Sequence, residues 1–163
     1  MRLIKGFTLL ELMVVLAIVA IFTAIALPLY DAETRKLDAS AVQQEMLKLA
    51  DQLERYKSRN FSYHGFDPKY LYDETTAMNT INFPRKGVKK YTITLYDTSE
   101  ATIRKLLNTE SGLGQKWAII ALSESEKNDS FLFTSTGVRC KNKTKTNITY
   151  TGCGEANTGM EIW

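Results

Sequence analysis

The stretch that decides the fold is Lys5-Gly6-Phe7-Thr8-Leu9-Leu10-Glu11, which opens a long apolar segment. No residue from 12 to 30 is charged. A helix needs about 20 apolar residues to cross a hydrocarbon core about 30 Å thick, and residues 7–30 supply that length. The sequence therefore predicts one membrane-spanning helix near the N-terminus.

Two features of this segment are unusual for a secretory signal or an ordinary anchor. A secretory signal places its cleavage site after the apolar region, whereas here the basic residues Arg2 and Lys5 are followed directly by Gly6. The natural cut therefore lies before the apolar run. Glu11 is a carboxylate in an otherwise uncharged segment, where an ionised side chain costs about 2.5 to 3.5 kcal/mol at the helix centre. Glu11 thus needs a partner, unless the segment is a plain signal anchor that carries a glutamate.

These residues resemble the class III signal of the type IV prepilins, a short basic leader ending in Gly6, followed by Phe7 and by a glutamate five residues after the cut. The resemblance implies that a prepilin peptidase cleaves between Gly6 and Phe7, removing the leader of residues 1–6, and methylates the new amine of Phe7. It also implies that Glu11 docks on the N-terminal amine of a neighbouring subunit, whose ammonium group neutralises the carboxylate. The expected partners are other pilins and the inner-membrane assembly machinery of the pilus.

Length and charge set the remaining organisation. The chain has 163 residues, so one soluble domain of moderate size follows the membrane segment. Removing Arg2 and Lys5 lowers the formal net charge from +3 to +1, so the charge is weak support for an anionic partner. The positive-inside rule places residues after Tyr30 outside the cytoplasm. In that oxidising compartment the two cysteines, Cys140 and Cys153, are expected to form a disulfide.

The helical pattern continues beyond the apolar run. Apolar residues recur at spacings of three and four at Ala39, Val42, Met46, Leu49, Leu53 and Tyr56, among charged and polar neighbours. This pattern predicts an amphipathic half of the helix over residues 31–60. Pro28 is expected to kink or loosen the helix near the membrane exit. In pilins a proline at this position implies a segment that melts during assembly, and a passive kink is the alternative.

Residues 61–163 are predicted to form a globular head. Arg59-Asn60-Phe61-Ser62-Tyr63 resembles the RNxxY segment of PilE-like pilins and begins a connecting loop over residues 61–90. Strands are predicted at 91–96, 117–122 and 131–134, within an antiparallel sheet over about 91–135. A short helix over 100–108 is predicted inside an insert at 97–115. Thr136-Gly137-Val138 resembles the xSTGxR segment of the same group, and residues 140–153 match its C-terminal disulfide loop. The expected fold is thus α+β, the type IV pilin fold.

No catalytic, metal or cofactor constellation stands out. His64 is the sole histidine and lies in a turn-rich stretch, so a catalytic triad would lack any supporting motif. Cys140 and Cys153 do not have the spacing of a zinc site. The sequence therefore predicts a protein that is not an enzyme.

Basic residues form two clusters in the predicted head. They are Arg85, Lys86, Lys89 and Lys90, then Arg139, Lys141, Lys143 and Lys145. Solvated loops and subunit contacts explain them most simply. A DNA-binding stripe is the second hypothesis, because clustered Lys and Arg bind phosphates without sequence preference.

The resemblance implies a structural subunit of a type IV pilus, held in the bacterial inner membrane with its head in the periplasm and then moved into the extracellular filament. Its similarity to the PilE-like pilins favours a low-abundance minor pilin that primes or joins assembly and supports twitching motility, adhesion and DNA uptake. A major pilin, a type II secretion pseudopilin and a DNA receptor for transformation remain alternatives.

Overall fold

The computed structural model describes residues 7–100, 105–109 and 112–163. Within these ranges the chain forms one α-helix, α1 (Leu9–Asn60), and seven β-strands. The strands are β1 (Thr80–Phe83), β2 (Tyr91–Asp97), β3 (Lys105–Leu106), β4 (Trp117–Ser123), β5 (Ser130–Thr134), β6 (Arg139–Asn142) and β7 (Glu161–Ile162). Short 3-10 turns lie at Pro68–Leu71, Lys145–Asn147 and Ala156–Thr158.

The chain divides into two units, the first ending at Leu37 and the second running from Asp38 to Trp163. The first unit contains the apolar part of α1. The second unit contains the amphipathic part of α1 and the whole sheet, and we call it the head.

The predicted apolar stripe of α1 is the helical side of the head's core. Val42, Met46, Leu49 and Leu53 are fully buried, at the spacings of four and three that place them on one face of a helix. Ala39 and Tyr56 at the two ends of the stripe are partly buried against the same cluster. This is the long helix packed on an antiparallel sheet that the sequence predicts.

The sheet is antiparallel throughout, in the order β1-β2-β4-β5-β6-β7. β3 also pairs with β2, where Tyr96 faces Leu106 and Asp97 faces Lys105. Because β4 occupies one side of β2, β1 and β3 follow each other along its other side. β1 was not predicted from the sequence. The strand predicted at residues 91–96 as the first of the sheet is therefore the second, β2.

β4 and β5 are buried on both faces, which explains why their sequences are continuously apolar. Ile119 and Phe131 belong to the cluster that packs on α1. Ile120 and Leu132 point to the opposite face and belong to a second cluster with the disulfide Cys140–Cys153. The sheet therefore lies between α1 and the C-terminal segment.

The helix predicted over residues 100–108 is wrong in its second half, while residues 101–104 lie outside the described residues. Lys105–Leu106 is a strand, and the Leu107 amide donates to the Leu95 carbonyl at 3.2 Å. Leu107 is 2% exposed in the main core. β1 pairs only with residues 91–94 of β2 and leaves the backbone groups at its C-terminal end without a partner on that side. The extended insert forms hydrogen bonds with those groups and buries Leu107.

Asp97 fixes the return of the insert to the sheet. Asp97 is only 5% exposed. Its carboxylate accepts hydrogen bonds from the Ser99 amide at 2.9 Å, the Gly114 amide at 2.8 Å and the Ser99 hydroxyl. Gly114 has φ +62°, and a Cβ there would lie 2.3 Å from the His64 backbone nitrogen. Only glycine fits at position 114, where the insert approaches the turn that follows α1.

The surroundings of Asp97 shift its pKa in two directions. Burial alone raises the pKa of the carboxyl, but the hydrogen bonds from Ser99 and from the Gly114 and Leu113 amides outweigh burial, so the pKa lies below its ordinary value. A lowered folded-state pKa stabilises the head above the unfolded pKa of about 3.9. That stabilisation is lost as pH falls through the folded value.

We expect Asp97→Asn to lower the free energy of unfolding at pH 7 by about 1.5 to 3 kcal/mol, because a charged acceptor of several amide hydrogen bonds is lost. The variant should also lose less stability than the wild type between pH 5 and pH 2. Urea unfolding followed by tryptophan fluorescence measures both quantities. Glu126→Gln removes an exposed carboxylate and is the control. Equal acid sensitivity of Asp97→Asn and the wild type would contradict the assignment.

Candidate assembly segment and basic surfaces

Thr8 caps the start of α1. Its hydroxyl oxygen accepts a hydrogen bond from the Glu11 amide at 3.2 Å, and its carbonyl accepts from the Leu12 amide at 3.2 Å. Thr8-x-x-Glu11 has the spacing of a capping box, and a carboxylate in the first helical turn is favoured by the helix dipole. Among the described residues, no side chain donates to the Glu11 carboxylate. Gly6, on the other side of the predicted cleavage site, lies outside the described residues.

The apolar segment is uncovered. Every residue from 7 to 30 is exposed, including Phe22, Ile25 and Leu29 at 69%, 65% and 63%. By length and composition this part of α1 is able to cross a membrane. Such a surface requires lipid or other apolar helices around it, because so large an apolar area in water is strongly unfavourable.

Pro28 lies within α1, and the helix continues through it. Proline has no amide hydrogen, so the Ala24 carbonyl lacks its usual helical donor. Thr23 and Thr34 lie on either side, and their hydroxyls donate to the carbonyls of Val19 at 2.7 Å and Tyr30 at 2.9 Å. These side-chain bonds tie the backbone one turn back within the helix.

The disulfide Cys140–Cys153 is present, with both residues buried and their Cα atoms 5.9 Å apart. It joins β6 to the C-terminal segment. Asn142, which the sequence did not single out, ties the same loop. Its amide nitrogen donates to the carbonyls of Cys153 at 2.9 Å and Thr158 at 3.1 Å, and its oxygen accepts from the Thr144 amide at 2.8 Å. The loop is therefore closed twice, once covalently and once by hydrogen bonds.

Trp163 packs on the far end of the sheet. Its indole nitrogen lies 3.0 Å from the Cys140 carbonyl and 3.3 Å from the Leu132 carbonyl. Its ring meets Phe131 and Phe133 edge to face. The Arg139 guanidinium lies 4.4 Å from the centre of the Phe133 ring, so this member of the basic clusters covers an aromatic surface.

Acidic partners compensate most of the other basic residues. Of the seven cluster residues other than Arg139, which are the candidate DNA contacts, four are in ion pairs: Arg85 with Glu74, Lys89 with Glu124, Lys90 with Asp38, and Lys141 with Asp129 and Glu161. In the described part of the chain, Lys86, Lys143 and Lys145 are in no ion pair. The bond to Glu161 contributes most to a raised pKa of Lys141, although burial opposes it. The clusters therefore present much less net positive charge than the sequence suggests.

Two tyrosines extend the polar contacts of α1. The hydroxyl of Tyr72 donates to Glu45, and that of Tyr63 donates to Glu54 at 2.8 Å. Burial, followed by the neighbouring carboxylate, raises the pKa of each tyrosine. No group of three or more potential metal ligands occurs among the residues that the structure describes.

Comparison with known proteins agrees with this arrangement. A family model described as the prokaryotic N-terminal methylation motif matches residues 1–27. The chain is 31% identical to a fimbrial protein of Pseudomonas aeruginosa over 129 residues, which is 77% of this chain and 80% of that protein. It is 41% identical to the type IV major pilin protein PilE of Neisseria gonorrhoeae over 73 residues, covering 45% of this chain and 40% of that protein. No solved structure gives a significant match.

We expect Asn142→Ala to lower the free energy of unfolding by about 2 to 3 kcal/mol with the disulfide intact, because two buried carbonyls lose their donor. The exposed neighbouring substitution Lys143→Ala should change it by less than about 0.5 kcal/mol. Chemical unfolding of both oxidised variants, with the disulfide verified by mass, makes the comparison. Equal stabilities would mean that the disulfide alone holds the loop.

Proposed function

Because this chain belongs to the type IV pilin family, we propose that it enters the pilus as a low-abundance minor subunit, through the assembly segment of residues 7–30. Type IV pilins are structural subunits of filaments. The subunit would prime or join the fibre, and the fibre would support twitching motility, adhesion and DNA uptake. Its head would lie in the periplasm before assembly and on the extracellular filament afterwards.

The observation that carries this proposal is the uncovered apolar helix with Glu11 near its start. In the single subunit the apolar side chains are exposed, and no described side chain donates to the Glu11 carboxylate. A bundle of such helices buries the apolar surface. A free N-terminal ammonium from a neighbouring subunit, generated by cleavage between Gly6 and Phe7, neutralises the carboxylate. Lipid alone would cover the apolar surface but leave the carboxylate uncompensated.

Small residues support close packing of this segment in a filament. Ala17, Ala20, Ala24 and Ala26 lie within it, and small side chains let helices approach closely. Pro28 removes one helical hydrogen bond at the end of the segment, which lowers the cost of local unwinding when the subunit leaves the membrane. Prepilin peptidase and the assembly machinery of the inner membrane are the further partners of this pathway.

Mass spectrometry of filaments sheared from the native cells is the experiment that tests the minor role. We expect a peptide that begins at methylated Phe7, with this subunit at about a few per cent of the main pilin or less. Dominance of the subunit in the fibre would make it the major pilin. Retention in the membrane fraction, with none in the fibre, would instead favour a priming role without incorporation, or a pseudopilin.

We expect Glu11→Gln to reduce the amount of this subunit in sheared filaments by about tenfold or more, since one lost ion pair of 1.4 kcal/mol already corresponds to tenfold. Glutamine keeps the shape of the side chain and removes its charge. The control Glu33→Gln removes an exposed carboxylate of α1 outside the apolar segment. Immunoblots of filament and membrane fractions measure both variants. Normal incorporation of Glu11→Gln would refute the docking role.

A further inference from the structure

A cleft of about 430 Å³ lies in the head, between the last turns of α1 and the 3-10 turn Pro68–Leu71. Buried Phe66 and half-buried Tyr56 line it, and their rings meet edge to face with centroids 5.5 Å apart. The volume is within the range of small-ligand sites, which is roughly 300 to 1,000 Å³. The cleft contains none of the residues assigned above to filament assembly.

The cationic groups of the cleft lie on one side of α1. Arg55 and Arg59 are four residues apart, so their side chains emerge from adjacent turns of the same face. Arg55 pairs with Asp51 at 2.8 Å, but both side chains are more than half exposed, so water competes for that pair. Arg59 is exposed and has neither an ion pair nor a hydrogen bond in the described structure. Its guanidinium presents a planar fork of donors that suits a carboxylate.

The acidic group of the cleft is already engaged. Asp67 Oδ1 accepts a hydrogen bond from the Lys69 amide at 2.9 Å, which caps the 3-10 turn, and a second from the Met78 amide at 3.2 Å. The Tyr56 hydroxyl likewise donates to the His64 carbonyl at 3.1 Å. Gln52 also lines the cleft, and its amide is in no bond to a described residue. The groups left for a ligand are therefore mainly donors with positive charge.

Two exposed aromatic side chains border this site. Tyr70 lines the cleft and is 76% exposed, and Phe61 directly follows the cleft residue Asn60 and is 88% exposed. No other aromatic residue among the described residues of the head is as exposed as these two. Phe61 also has φ +58°, a conformation disfavoured for a bulky side chain. The Lys69 ammonium lies 5.0 Å from the centre of the Tyr70 ring and covers one of its faces, while most of the side chain remains exposed. Tyr70 lines the same cleft as Arg55 and Arg59.

We propose that this cleft binds an acidic saccharide. Arg59, assisted by Arg55, would pair with a sugar carboxylate. The face of the Tyr70 ring that Lys69 leaves open would pack on the C–H face of a pyranose, whose hydrogens match the negative face of an aromatic ring. Gln52 would exchange hydrogen bonds with the hydroxyls. An acidic peptide would also satisfy the arginines, but an exposed aromatic face beside the Gln52 amide matches the C–H face and the hydroxyls of a sugar ring better.

Calorimetric titration of the full chain in detergent micelles with trigalacturonate tests the proposal. We expect saturable binding, at least about tenfold tighter than that of neutral maltotriose, because one charge-assisted contact distinguishes the two sugars. Arg59→Gln and Tyr70→Ala should each weaken binding by about tenfold, and Arg59→Lys should fall between the wild type and Arg59→Gln, because it keeps the charge and loses the fork.

Matched controls separate the site from general charge and hydrophobicity. Lys86→Gln removes an exposed cation elsewhere on the head, and Val88→Ala trims an apolar side chain that is 81% exposed. Both should bind as the wild type does, and unchanged thermal unfolding verifies that all variants are folded. Absence of saturable binding, or binding that Arg59→Gln and Tyr70→Ala leave unchanged, would overturn the proposal. Triglutamate binding as tightly as trigalacturonate would overturn it in favour of a peptide site.

Discussion

The burial of one face of α1 against the sheet is the contact on which the head depends. Val42, Met46, Leu49 and Leu53 are inaccessible to solvent, and each such side chain contributes roughly 1.5 to 3 kcal/mol when it is removed from water. β2, β4 and β5 provide the matching surface from the other side. The earlier turns of the same helix have an apolar surface on every side and no cover in the subunit. One continuous helix thus contributes to a protein core in one part and presents an exposed apolar surface in the other.

Charge compensation is the second organising feature of the head. The ion pairs join segments far apart in sequence, as when Lys90 contacts Asp38 and Lys141 contacts Asp129 and Glu161. They also reduce the force of the argument for a nucleic-acid stripe, since a paired lysine must give up its carboxylate before it releases counterions from DNA. The cations without an ion pair in the described head include Lys143 and Lys145, which line one cleft, and Arg59 at the end of α1, which lines another cleft with the exposed Tyr70.

The sequence predicts the parts of this fold that carry a regular period. The stripe from Ala39 to Tyr56 has the period of a helix, and the apolar runs near Trp117 and Phe131 have the composition of buried strands, so these elements are found where they were expected. The helix predicted in the insert is wrong in its second half because Leu106 and Leu107 fit a helical spacing as well as a strand and a turn. The strand forms instead of the helix because the end of β2 offers backbone groups to pair with, which the local sequence does not show.

Features that depend on distant partners could not be predicted. β1 is short and partly polar, and it becomes a strand because it pairs with β2. The sequence around Asn142 does not indicate its role, because the path of the C-terminal segment brings its partners, the carbonyls of Cys153 and Thr158, next to it. The cleft at the end of α1 likewise combines residues from the helix and the loop after it. By contrast, the roles predicted for Phe7 and Glu11 rest on a local motif alone.

The sheet has different covers on its two faces, a helix on one and a disulfide-closed segment on the other. The Asn142 side chain holds that second cover by hydrogen bonds to backbone carbonyls, and the Cys140–Cys153 disulfide holds it covalently. Most exposed side chains of residues 140–153 therefore take no part in closing the loop. Substitutions of exposed residues in that segment can therefore alter the surface of the head without changing the contacts between the sheet and α1.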